Sequence, residues 1–73
     1  MVDTSKIMYK LQSALKQKQV YITINTYQFY SEQKDRYIKM YIAKRGKNKI
    51  IETPSQIQVI KALNDIWQEV KND

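Results

Sequence analysis

Apolar residues recur at Ile7, Met8, Leu11, Ala14 and Leu15, the spacing of one helical side, while Lys6, Tyr9, Ser13 and Lys16 fall on the other. This spacing predicts an amphipathic helix from Thr4 to about Gln19. Asp3 or Thr4 is placed to cap it, since a short side-chain oxygen accepts from the free amides of the first turn. A single helix of this length is marginal in water, so its apolar stripe must dock on something.

From Val20 the period changes to two. Val20, Ile22 and Ile24 share one side of a strand, and Ile38, Met40 and Ile42 repeat the arrangement in RYIKMYIAKR. With Ser31 to Asp35 as the connecting loop, Tyr30 lies opposite Arg36, Ile24 beside Ile42 and Gln28 beside Ile38. The other face of this hairpin then pairs Phe29 with Tyr37, Tyr27 with Lys39, Asn25 with Tyr41 and Tyr21 with Arg45. One side is aliphatic, and helix 1 is expected to dock there. The other side is aromatic and cationic.

The run Lys44 to Lys49 contains the only glycine, Gly46, together with Asn48, and marks a turn. Ile50, Ile51 and Glu52 follow as a short edge strand, with Ile51 beside Ile42 if the tight connection is Arg45 to Asn48. Thr53-Pro54-Ser55-Gln56 matches a capping box, with Thr53 at the cap and Gln56 three residues on. Val59, Ile60, Leu63, Ile66, Trp67 and Val70 then recur at helical spacing through Lys71, predicting an amphipathic helix that buries Trp67. The expected fold is a small single α+β domain over residues 1–73, in α-β-β-β-α order, with a three-stranded antiparallel sheet packed by two helices.

Seventy-three residues bury only about 60% of the surface of the unfolded chain, so stability must come from one modest core or from a second subunit. Cysteine and histidine are both absent, which removes disulfides, thiolate chemistry and the usual zinc ligands. Seven scattered carboxylates form no paired motif, and no phosphate-binding glycine loop is present. The expectation is a protein that is not an enzyme, with no cofactor, no metal and no small-molecule substrate. The N-terminus lacks the apolar stretch of a signal peptide or anchor, so a cytoplasmic location is expected. High Lys, Ile, Asn and Tyr usage fits an AT-rich bacterial, phage or mobile-element genome.

Charge is uneven. Residues 1–49 hold eleven of the thirteen Lys and Arg against three carboxylates, a net +8, whereas residues 50–73 hold two against four, a net −2. A positive field of this kind attracts nucleic acid, anionic membranes or acidic proteins. Nucleic acid is the leading expectation, DNA or RNA, with Tyr21, Tyr27, Tyr37 and Tyr41 stacking or packing on bases and sugars. Lys39, Lys44, Arg45, Lys47 and Lys49 are the expected phosphate contacts. The alternative is a protein-interaction module using the same face, either as a homodimer or as a phage-type inhibitor or adaptor of a larger protein. A third outcome is that the last helix crosses this face and turns its rings into core, since Tyr and Phe favour strands for packing reasons alone. A membrane partner is not expected, because the stripe of helix 1 is narrow and lacks Trp and Phe.

The element order is similar to that of the double-stranded-RNA-binding domain. Such domains contact phosphates through a lysine cluster at the start of the last helix, where this chain has Thr53-Pro54-Ser55-Gln56 and no basic residue until Lys61. Residues 20–70 also resemble, in element order, the arm-type DNA-binding domain of some phage integrases, which implies a sheet inserted in the major groove.

Overall fold

Asp3 caps the first helix, its side chain accepting from the Lys6 amide at 3.2 Å. The computed structural model describes residues 3–71, which form α1 (Thr4–Gln17), β1 (Ile22–Ser31), β2 (Arg36–Arg45), β3 (Asn48–Thr53) and α2 (Gln56–Val70). The sheet order is β1-β2-β3, antiparallel throughout. The result is a small single α+β domain of the expected element order.

At the end of α1, Gln19 turns left-handed (φ 64°), its amide donating to the Lys16 carbonyl and the Val20 amide to the Leu15 carbonyl, each at 2.9 Å. These two bonds make a Schellman motif, and the buried pair Leu15 and Val20 supplies its apolar contact. α1 therefore ends two residues before Gln19.

The hairpin register differs from the expected one by one residue. Ser31 remains in β1 and pairs with Arg36, so the loop is the four residues Glu32 to Asp35, closed by Asp35 in the left-handed region (φ 51°). A slip of one exchanges the partners of every side chain. Ile22 now lies beside Arg45, Ile24 beside Ala43, Tyr27 beside Met40 and Phe29 beside Ile38. The physical reason lies beneath the helices: Ala43, with no exposed surface, sits opposite Ile24, where a bulkier residue would hold the helical layer away.

Gly46 and Lys47 make the second turn, with Arg45 opposite Asn48 and a positive φ (62°) at Gly46 alone of the two, as a type II′ turn requires. A bulge then adds Ile50 between the Lys44–Lys49 and Ala43–Ile51 pairs. Ile51 consequently lies beside Ala43 rather than Ile42, and both Ile50 and Ile51 pack against the core.

α2 also starts later than its capping box predicts. Ser55, not Thr53, is the N-cap and accepts from the Gln58 amide, while Thr53 Oγ1 accepts from the Ser55 amide at 3.1 Å. The Gln56 side chain joins three elements: it accepts from the Thr4 hydroxyl, and its amide donates to Ser5 Oγ at 2.8 Å and to the Tyr41 hydroxyl at 2.9 Å. The two helices thus meet at their N-termini and pack together on one face of the sheet.

The core is Met8, Leu15, Val20, Ile22, Ala43, Val59 and Leu63, with Ile24, Tyr41, Ile51 and Trp67 among its partly buried margin. Trp67 is half-buried rather than enclosed; Val59 and Leu63 are the fully buried positions of α2. The sheet face turned away from the helices is uncovered. The molecule measures 46 × 33 × 15 Å, a thin two-layer slab.

Candidate nucleic-acid interface

The one-residue register shift divides the expected aromatic and cationic face between two sides of the sheet. Tyr37, Lys39, Tyr41 and Arg45 lie on the helix-facing side, in register with Tyr30, Gln28, Thr26 and Ile22. Tyr41 is half-buried there and accepts from Gln56. Lys39 Nζ stands 5.5 Å from the centre of the Tyr41 ring, a cation–π contact. Tyr37 lies beyond the helices, 70% exposed, with its ring edge-on to Tyr30 at 5.3 Å between centroids. Tyr30 donates to the Asp35 carboxylate, and this bond raises its phenol pKa above the ordinary value.

Tyr27, Lys44 and Lys49 lie on the uncovered side. Five rungs cross β1 and β2 on this side: Ser31 with Arg36, Phe29 with Ile38, Tyr27 with Met40, Asn25 with Ile42, and Thr23 with Lys44. Glu52 of β3 flanks Ile42 and Lys49 flanks Lys44. The centre of the face is therefore aliphatic and aromatic, not cationic. Tyr27 donates to Glu52, whose other oxygen meets Lys49 Nζ at 3.1 Å. These bonds, the phenol's first, hold the Glu52 carboxyl below its usual range, and the same bond to Glu52 raises the Tyr27 phenol. A ring tied to a carboxylate is a poor stacking platform for an anionic strand.

One end of the slab does collect positive charge. β1 begins where β2 ends, Ile22 opposite Arg45, so Tyr21 and the Lys44 to Lys49 turn share that end. Tyr21 is 62% exposed, and Arg45, Lys47 and Lys49 are exposed beside it. The C-terminus of α1 arrives at the same place, tied by Gln12 Nε2 donating to the Ile22 carbonyl at 2.7 Å. Lys16 lines a shallow cleft of about 290 Å³ with Gln12, Ser13, Tyr21 and Ile22, and Lys18 caps the helix three residues before Tyr21. Lys16 and Lys18 were not among the expected contacts. Their position just ahead of the strand that pairs with Arg45 was the signal that they belong there.

Of the nine expected contact residues, then, Tyr21, Lys44, Arg45, Lys47 and Lys49 gather at one end. Tyr27, Tyr37, Lys39 and Tyr41 are dispersed over both sides of the hairpin. Lys49–Glu52 is the one ion pair among the described residues, which also contain no cluster of metal-binding side chains and no helix long and apolar enough to cross a membrane. No family model, curated protein or solved structure matches this chain.

Proposed function

We propose that this protein binds nucleic acid without catalysing a reaction, gripping phosphates with its basic end. The observation that carries the reading is that Lys16, Lys18 and the turn carrying Lys44, Arg45, Lys47 and Lys49 share the end of the slab where Tyr21 is exposed, with Glu52, among the described residues, the one carboxylate in an ion pair there. Such a cluster neutralises phosphates and releases their counterions, and Tyr21 offers a ring for a base or sugar. Tyr27, Tyr37, Lys39 and Tyr41 fall outside this narrower interface.

The test is binding of the purified protein to short duplex DNA, duplex RNA and single-stranded oligonucleotides across a salt series. Four to six phosphate contacts predict that affinity for duplex DNA falls with salt at a log–log slope of roughly −4 to −5. An Arg45→Glu, Lys47→Glu double variant is expected to abolish binding while leaving thermal stability nearly unchanged, because both side chains are exposed. Retention no greater than that of an unrelated protein of equal charge rejects the reading. A protein-interaction role is favoured by a separate observation, the uncovered apolar side of the sheet.

A further inference from the structure

The accessible surface of the chain is 5564 Å². A compact monomer of 8.8 kDa exposes about 4,800 Å², so this chain carries an excess of about 800 Å². Its radius of gyration, 13.5 Å, likewise exceeds the value of about 11 Å for a compact domain of this length. An excess of about 800 Å² is what one partner contributes to a standard protein interface. The uncovered sheet face contributes apolar surface to that excess: Tyr27 and Phe29 are 40% and 42% exposed, and Ile38, Met40 and Ile42 are partly exposed beside them.

We infer that this face is occupied by a second copy of the chain, in a twofold dimer with its axis running across the strands between the Phe29–Ile38 and Tyr27–Met40 rungs. An isologous interface must be self-complementary, and this placement makes it so. Met40 of one copy lies over Ile38 of the other, and Tyr27 over Phe29. Arg36, one rung outside the apolar centre at the loop end, falls over Ile42 of the other copy, with Glu52 on the adjoining strand about 4.8 Å to the side. The Arg36 guanidinium thus meets the Glu52 carboxylate that Tyr27 turns over the face, twice by symmetry. Apolar rungs match apolar rungs, and the Arg36–Glu52 contact closes both ends of the apolar patch.

The inference stands apart from the nucleic-acid reading, and its test uses neither DNA nor RNA. Sedimentation of the intact protein is expected to show a dimer at about 100 µM, and Met40→Asp a folded monomer by circular dichroism. Arg36→Glu alone and Glu52→Arg alone each place like charges together at both symmetry-related positions, so each is expected to be monomeric. Mixed in equal amounts, the two are expected to recover a heterodimer. A wild-type monomer at that concentration overturns the inference, whether the free face then serves another protein or none. A dimer that survives Met40→Asp also overturns it, since association through the free edge of β1 would be unaffected. Two charge variants that dimerise separately, or that fail to combine, overturn the pairing of Arg36 with Glu52.

Discussion

Tyr27 and Glu52 make a pair whose two titrations have opposite signs. The phenol donates to the carboxylate, so its folded pKa lies above the unfolded value of about 10, and the Glu52 pKa lies below its own unfolded value. The stability contributed through Glu52 is present above the unfolded carboxylate pKa and is lost as pH falls through the lowered folded one. The stability contributed through Tyr27 is present below the unfolded phenol pKa and is lost as pH rises through the raised folded one. Between those limits the contribution is flat. Tyr30, bonded to Asp35, is an internal reference with a raised pKa of independent origin. Titrating ring-labelled tyrosines by NMR, Glu52→Gln is expected to return Tyr27 toward the ordinary value while Tyr30 stays raised. A Tyr27 midpoint unmoved by Glu52→Gln would show that this bond is not the cause.

The elements themselves were legible because each rests on local chemistry: the stripes of α1 and α2, the period-two runs of β1 and β2, the glycine at the second turn. Their mutual register was not. Whether Ser31 ends a strand or begins a loop is decided by Asp35 taking a left-handed conformation, and whether Ile51 lies beside Ile42 or Ala43 is decided by a one-residue bulge. Neither has a unique sequence signature, yet each moves side chains across the sheet. The aromatic and cationic face depended on that register and dissolved with it. The basic turn depended only on consecutive residues and survived. The end of α1 is hidden from the sequence for a similar reason, since nothing in glutamine announces a left-handed helix terminus. Because an L side chain is disfavoured in that conformation, Gln19→Gly is expected to stabilise the fold by about 0.5–1 kcal/mol. For a domain of this size that corresponds to a rise of roughly 3–6 °C in Tm, read by thermal unfolding. An unchanged or lowered Tm would mean that the Schellman geometry at Gln19 does not persist in solution.

The basic end and the uncovered face become one device when both proposals are combined. In the twofold dimer the Lys44–Lys49 rung lies two and a half rungs from the axis, and rungs repeat every ~6.8 Å, so the two basic ends stand about 34 Å apart. That spacing is close to one helical turn of B-DNA, the separation at which paired half-sites present the same groove to a symmetric protein. Two ends acting on one duplex double the number of phosphates neutralised and make the second contact intramolecular. Met40→Asp, which removes the dimer and touches no basic residue, is therefore expected to halve the log–log salt slope for a duplex of about 20 base pairs and to weaken binding at least tenfold. On a duplex of about 8 base pairs, too short for both ends, variant and wild type are expected to bind alike. Salt separates the two interactions further. Screening weakens the phosphate contacts, whereas it relieves the mutual repulsion of two chains that each carry +6, so dimerisation is expected to persist at salt concentrations that release the duplex. A slope identical in wild type and Met40→Asp on the long duplex would show that the two basic ends do not act together, even if each binds phosphate by itself.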